Sequence, residues 1–381
     1  MKIIQTGNYP TDYSIIKGGI QASIFGLTKE LAKNNEVTVI AYPKKEITQD
    51  YSIRNDDGIN IHYLKNPFKF HVMGVFRISK FTAVLNRIES DVVHIHGSCF
   101  FSLLLIIYLM AKRKNFVLTE HGILHIEQWQ KLKREKSVKT FLQWISYAVI
   151  EWLCLNLSKR IIVDTMYVKK CLQCSTLRKL NVIPQGINSI YYTLRDTPNA
   201  MSLLSVGSIS PRKGYEHSIG AVNIVKREFP EIRYTIAGAF DSNNVSYLEL
   251  LSAKIRALNL EENVCIETNV SFEHVQDLFE KANVFILHSL EESQGIVFCE
   301  AMAAGKPVVA TNAGGIPHIV QNDVNGKLSN VGDVNAFAEN IAIIFRDSTL
   351  RSKISTQNRI MATRYSWEKI SVEVEKLYLK K

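Results

Sequence analysis

The sequence is short of several features that would decide its chemistry at once. It has no G-x-G-x-x-G turn after a strand, which disfavours a nicotinamide dinucleotide, and no G-x-S-x-G elbow for a serine hydrolase. No D-x-D pair is present to hold a divalent cation on a diphosphate, and spacing gives no metal triad. Cysteine is scarce. Six residues, at 99, 154, 171, 174, 265 and 299, sit in apolar or helical surroundings, as in a reducing compartment. Cys171 and Cys174 form a C-x-x-C with no second pair, so ordinary helix cysteines are expected rather than a zinc or redox site. The start MKIIQTGNY lacks the apolar run and cleavage site of a signal peptide. Of the two longest apolar stretches, 100–111 is too short to span a bilayer. The other, 138–157, is interrupted by Lys139, Gln143, Glu151 and Asn156, and a packed helix is expected there. There is no internal repeat and no low-complexity tract.

What remains is a chain of 381 residues, 46 % hydrophobic and 22 % charged, too long for one core and suited to two domains. Its net charge of +10 is uneven. Residues 1–190 carry 26 Lys/Arg against 14 Asp/Glu, whereas 191–381 carry 20 against 22, so the first half faces something anionic. The basic run KLKREKSVK (131–139) leads into the Trp-containing apolar segment, a pairing that suits a membrane surface and equally a solvated loop before a core helix.

Short β-branched runs alternate with amphipathic ones. KIIQT (2–6), EVTVIAY (36–42), INIHYL (59–64), DVVHIH (91–96), FVLTE (116–120), RIIVD (160–164) and LNVIP (180–184) read as strands. The theme restarts with SLLSVG (202–207), RYTIAG (233–238), NVCIE (263–267), NVFILHS (283–289) and KPVVAT (306–311). This predicts α/β architecture, two doubly wound Rossmann-like domains with parallel sheets covered on both faces. The seam falls in 184–200, which gathers Pro, Gly and Asn. Ligands of open α/β sheets bind at the carboxyl ends of the strands, so a cleft between the domains is the expected working site.

The stretch EESQGIVFCEAMAAG (291–305) places Glu292 in a loop and Glu300 on a helix, with Gly295 and the leading amides of Ile296 and Val297 between them. A helix N-terminus seats an anion, and glycine lets it approach the backbone. Carboxylate, anion seat, carboxylate matches a sugar nucleotide: hydroxyls at each end, diphosphate in the middle. SVGSISPRKG (205–214) repeats the logic, with Gly207 and Ser208 turning after a strand and Arg212 and Lys213 supplying charge; a lysine there would neutralise a departing diphosphate. Arg-Lys pairs are also common in plain turns. Gly18-Gly19 form an early loop before a helix, again a pattern that ordinary turns share. His94 is expected to be a satisfied core residue, while His121 falls where the fifth strand meets its loop.

In order along almost the whole chain, these pieces resemble glycosyltransferase family 4, retaining enzymes of the GT-B fold. Gly18-Gly19 resembles its glycine loop, DVVHIHG its fourth-strand signature, TEHG (119–122) its T-x-H-G, VIPQGIN (182–188) its hinge and PRKG its E-K-G loop. Glu292 and Glu300 meet E-x7-E, and YSWEKISVEVEKLY (365–378) resembles the helix that returns to the first domain. The resemblance implies an acceptor-side domain over 1–185, a hinge over 186–200, a nucleotide-sugar domain over 201–364 and the returning helix over 365–381.

It also implies roles. His121 would touch the donor sugar, Lys213 with Gly19 would hold the diphosphate in place of a metal, Glu292 would orient sugar hydroxyls, and Glu300 would bind the ribose. Gly295, Ile296 and Val297 would offer backbone N–H groups. Where many members have G-R, this chain has Gly207-Ser208, and Arg212 is the candidate replacement. ESQG in place of E-G-F-G leaves Gln294 near the sugar. The implied activity is a hexosyltransferase-type transfer (EC 2.4) from a UDP- or GDP-sugar to a glycan or lipid-linked acceptor in cell-surface polysaccharide biosynthesis. It needs no metal or other cofactor. The enzyme would be cytoplasmic, with 131–157 against the inner face of an anionic membrane.

Two other readings use the same residues. A sugar-nucleotide 2-epimerase would share the fold but needs no acceptor and would carry extra cleft acids in the first half, and none is evident there. A nucleic-acid or other anionic-surface binder would account for the charge but predicts basic and aromatic residues interleaved on one face. The basic residues cluster before an apolar helix instead, so no nucleic-acid partner is expected.

Overall fold

The structure is a computed structural model that describes all residues except 13–17, 42–46, 48, 56, 66–73, 174–175, 177–179, 242–243 and 381, together with the side chains of 74–77 and 134–135. Cys174 therefore lies outside the described residues. The chain divides into two compact units. The first runs to Gly186, Gly18 excepted, and includes the C-terminal stretch from Trp367; the second spans Ile187–Ser366 together with Gly18.

The first unit contains β1 (Lys2–Gly7), α1 (Gly19–Leu31), β2 (Glu36–Ala41), β3 (Tyr51–Arg54), β4 (Asn60–Tyr63), α2 (Gly74–Arg87), β5 (Val92–His96), α3 (Phe100–Ala111), β6 (Phe116–Glu120), α4 (Leu124–Glu135), α5 (Val138–Leu157), β7 (Ile161–Val163), α6 (Met166–Gln173) and β8 (Leu180–Val182). Their order across the sheet is β3-β4-β2-β1-β5-β6-β7-β8. Every pairing is parallel except β3 with β4. That edge strand is missing from the sequence reading. A short turn in which Gly58 N–H donates to Asn55 O at 2.9 Å joins it to β4, and so short a connection permits only antiparallel pairing.

The second unit contains β9 (Ser202–Val206), α7 (Tyr215–Val225), β10 (Arg233–Gly238), α8 (Val245–Ala257), β11 (Val264–Thr268), α9 (Phe272–Lys281), β12 (Val284–Leu287), α10 (Ile296–Ala303), β13 (Val308–Thr311), β14 (Gly326–Ser329), α11 (Val334–Arg346) and α12 (Ser348–Ala362). The order β11-β10-β9-β12-β13-β14 is wholly parallel, and the strand order reverses between β9 and β12. Strands such as VFIL and VVAT are buried along their whole length because helices cover both faces.

The last helix, α13 (Trp367–Leu379), belongs to the first unit. Ile370, Val374, Leu377 and Tyr378 join a core with Ile3, Leu27, Val92 and Val117, and Arg160 Nη1 donates to the carbonyls of Leu377, Tyr378 and Lys380 at 3.3, 3.0 and 2.8 Å. The Trp367 indole lies where a Cβ on either Gly26 of α1 or Gly186 would overlap it. Gly26→Ala is therefore expected to destabilise the protein by about 1–3 kcal/mol, the usual cost of overpacking, measured as a shift of the urea midpoint. An unchanged midpoint would mean the indole relocates freely. Among the described residues, no helix is long and apolar enough to cross a membrane.

Candidate active site

In the second unit the loops leaving β9 and β12 emerge side by side, because Leu203 pairs with Val284 where the strand order reverses. Open α/β sheets bind ligands at such points. The β9 loop ends in a single 3₁₀ turn, Pro211–Lys213, and Leu290 N–H donates to Arg212 O at 2.9 Å, tying it to the β12 loop. Lys213 and Glu292, 79 positions apart, become neighbours: the ammonium donates to Glu292 Oε1, and Ser289 Oγ donates to the same oxygen at 2.9 Å. Arg212 Nη1 lies 3.4 Å from Glu292 Oε2 and 3.3 Å from the carbonyl of Glu291. Lys213 is 7 % exposed and Glu292 4 %.

Two cations thus share one buried carboxylate. Burial by itself would raise the Glu292 carboxyl, but Lys213 and Arg212 outweigh it and hold the group below the usual carboxylate range. Burial lowers the Lys213 ammonium; Glu292 offsets this in part and Arg212 adds to it. The Glu292 backbone is fixed from behind. Gly315 N–H donates to its carbonyl at 2.7 Å, and Gly314, at φ 53°, has no room for a Cβ against that same oxygen.

Gly295, at φ 77°, is the residue before α10, so the amides of Ile296 and Val297 lead the helix without partners from within it. Glu300 follows on the same helix, half-buried, and accepts no hydrogen bond from the described residues; burial pushes its carboxyl up to about 7. Carboxylate, free amides and carboxylate therefore lie in succession around one helix start. Ser208 stands apart on the exposed part of its loop, its Oγ 3.3 Å from Ser210 Oγ. Gln294 is buried, with its amide nitrogen 3.9 Å from Cys299 Sγ.

Of the other named residues, Gly19 and His121 lie in the first unit and Gly18 groups with the second. Gly18 has φ 83° immediately before α1, which starts at Gly19. His121 follows β6, and its Nε2 lies 2.9 Å from His96 Nδ1 with the rings 9° from parallel. His94 is a satisfied core histidine, 2.6 Å from both Tyr378 Oη and Thr119 Oγ1. His121 and His125 have an H-x₃-H spacing, but His125 Nδ1 lies on Glu151 Oε2 at 2.5 Å while His121 faces His96. No group of three His, Cys, Asp or Glu suited to a metal ion occurs among the described residues.

The first unit buries three acids, Glu120, Glu151 and Asp164, each at most 2 % exposed. Burial, reinforced by Glu151, pushes Glu120 up to about 8, and burial pushes Asp164 up to about 7 against a hydrogen bond from Gln185. Glu120 and Asp164 sit at the carboxyl ends of β6 and β7, a position the strand pattern could have flagged. Only packing reveals that Glu151, inside an apolar helix, serves Leu124 N–H at 2.8 Å and His125.

Residues 17–189 match the sequence model described as Glycosyltransferase Family 4, and residues 197–361 that of Glycosyl transferases group 1. An uncharacterized glycosyltransferase of Methanocaldococcus jannaschii is 27 % identical over 97 % of this chain and 96 % of its own length. Sucrose-phosphate synthase from Thermosynechococcus elongatus superposes with a TM-score of 0.82 at 19 % identity, over 99 % of this chain and 98 % of that one. Anabaena HepE in complex with UDP and glucose gives 0.75 at 19 % identity, with the same coverage. With two doubly wound parallel units, a glycine-led helix between two glutamates and these matches to both halves, the chain belongs to the group 1, family 4 glycosyltransferases, retaining nucleotide-sugar enzymes (EC 2.4) of the GT-B fold.

Proposed function

We propose that this enzyme transfers a hexosyl group from a UDP- or GDP-sugar to a lipid-linked glycan acceptor at the inner face of an anionic membrane, in the assembly of a cell-surface polysaccharide. The observation that carries the donor half is the pairing of Lys213 and Arg212 on Glu292 beside the α10 N-terminus. Lys213 and Arg212 neutralise the diphosphate, Arg212 supplying the cation that Ser208 does not, and the amides of Gly295, Ile296 and Val297 receive it. Gly18 and Gly19 let their loop approach the same phosphates. Glu292 accepts from sugar hydroxyls, Glu300 accepts from the ribose, and His121 contacts the donor sugar. As the bond from the anomeric carbon to the diphosphate oxygen breaks, the acceptor oxygen bonds to that carbon on the same face and gives its proton to the leaving phosphate oxygen, so configuration is retained without a protein nucleophile. HepE, held with UDP and glucose, favours uridine among the donors.

Support for the acceptor half comes from α5. It buries Thr140, Glu151, Cys154 and Leu155, yet its opposite face is also apolar: Val138 is 77 % exposed and Leu142 60 %, with Phe141, Val149 and Trp152 beside them. The packed helix expected here is thus packed on one side only. Lys131, Lys133, Lys136 and Lys139 gather near its start, with Lys133 Nζ 5.4 Å from the centre of the Trp129 ring. An apolar stripe led by cations suits anionic head groups over an acyl boundary.

A thermal-melt panel of sugar nucleotides, repeated with vesicles of phosphatidylglycerol or phosphatidylcholine, tests both halves. One donor at ~100 times its dissociation constant should stabilise the protein by roughly 2.7 kcal/mol. The protein should sediment with the anionic vesicles alone, and Leu142→Ser with Trp152→Ser should release it. If no sugar nucleotide shifts the melt, the donor reading fails. If the stripe instead drives self-association in solution, the membrane reading fails.

A further inference from the structure

The protonation pattern of His121 can be traced through a buried chain of hydrogen bonds that starts on the last helix. In the first-unit sheet Gln5 of β1 pairs with His94 of β5, and His96 pairs with Thr119 of β6. Residues two apart on a strand share a face, so His94 and His96 point together toward α13, their rings 4.1 Å apart. Gln5 Nε2 donates to Tyr378 Oη at 3.2 Å. The tyrosine has one proton to give, and His94 Nδ1 lies 2.6 Å away to take it. His94 therefore carries its own proton on Nε2 and donates to Thr119 Oγ1.

The other end of the Gln5 amide, Oε1, can only accept, and it stands 2.7 Å from His96 Nε2. His96 must carry Nε2–H, which leaves its Nδ1 bare toward His121 Nε2. All three rings are neutral: burial brings His94 down to about 3, His121 to about 4, and His96 well below the usual histidine range. A neutral His121 that donates from Nε2 has a bare Nδ1. That atom is buried without a protein partner, as is Oδ1 of Asp164, whose other oxygen accepts from Gln185 Nε2 at 2.5 Å. Both residues line a cavity of about 20 Å³, bounded also by Ser23 and Trp367. A water needs only about 10–15 Å³ by this measure, and above pH 7, where Asp164 is ionised, its two protons match the two bare acceptors.

We infer that Gln5 and His96 are positioning residues which hold His121 as its Nε2–H tautomer, with the Nδ1 lone pair turned to a single water shared with Asp164. The contact of His121 with the donor sugar is a separate role, which rests on the function proposed above. The tautomer does not.

The test is nitrogen NMR of the unliganded protein labelled at histidine, with the His121 signals identified by their loss in His121→Gln. The wild type should show a pyridine-like Nδ1 and a pyrrole-like Nε2 at His121. His96→Phe removes the acceptor and should erode the tautomer preference about tenfold, the worth of one ordinary hydrogen bond. Gln5→Glu keeps an acceptor for His96 and should leave His121 unchanged. Should His96→Phe fail to fold, Gln5→Met, which withdraws the amide oxygen, should loosen His121 in the same way. A protonated Nδ1 in the wild type would mean that the Gln5 amide points the other way and every donor in the chain is reversed, which overturns the assignment. Identical His121 spectra in wild type and His96→Phe or Gln5→Met would overturn it too. Failure of donor binding with an intact tautomer would remove the transferase role and leave the relay standing.

Discussion

Lys213→Ala is expected to lower kcat by about two to three orders of magnitude while the protein still folds. A positioned cation facing charge that develops on a leaving group contributes on this scale. The residual structure survives because Glu292 keeps Arg212 at 3.4 Å and Ser289 at 2.9 Å after the lysine is gone. Glu292→Ala should behave in the opposite manner. It leaves Lys213 and Arg212 close together with no carboxylate between them, and removing one partner of a buried pair costs about 3 kcal/mol or more. The unliganded variant should melt well below the wild type. A nucleoside diphosphate then supplies the missing anion, so its stabilising effect should be larger in Glu292→Ala than in the wild type and smaller in Lys213→Ala. Melting curves with and without UDP separate these cases. Equal UDP shifts in both variants would show that the diphosphate does not meet these cations.

The second large effect is a dependence of donor affinity on pH. The Glu300 carboxyl sits at about 7 without ligand, raised by burial above an ordinary value of 4.5. On the ribose-binding role proposed for Glu300, the carboxylate accepts from ribose hydroxyls more strongly than the acid would, so the donor should bind the ionised form and pull the proton off. Affinity should fall by up to about tenfold per unit as pH drops below 7, or roughly 10²-fold from pH 7 to pH 5. A sugar nucleotide is the right probe, since its diphosphate does not titrate in this window. Glu300→Gln should bind weakly and show no slope.

Stability of the unliganded protein should follow a different course. Groups raised in the fold, Glu300, Asp164 and Glu120, contribute stability that is complete below their unfolded values and is lost as pH rises through about 7 to 8. Histidines 94, 96 and 121 are depressed, so their contribution is present above 6.5 and fades as pH falls from there. The two sets oppose each other between about pH 4.5 and 6.5, and above 6.5 only the carboxyls act, so the melting temperature without ligand should fall from pH 6.5 to 8. A melting temperature that rises over that range would mean that these carboxyls are not raised in the fold.

Much of this protein was legible in its sequence. The segments VKTFLQWISYAVIEWLCLNL and FVLTE became α5 and β6 with their boundaries intact, because local periodicity and strand propensity act within a few residues. The run from Glu292 to Glu300 was equally readable, since a glycine at a helix start and two carboxylates eight positions apart are local facts. The edge strand β3 and the strand β14 were missed: four residues of mixed burial carry too little pattern.

Only the tertiary structure decided which charges meet. Lys213 and Glu292 touch because β9 and β12 are neighbours in the sheet although the whole of β10 and β11 separates them in sequence. The same holds for Tyr378, Gln5, His96 and His121, drawn from a terminal helix, a first strand, a fifth strand and a loop. Sequence pattern fixes what each element is, because backbone and side-chain preferences are local. Which elements lie side by side is settled by burying their apolar faces together, and the polar residues they carry are brought along to whatever neighbours that packing provides.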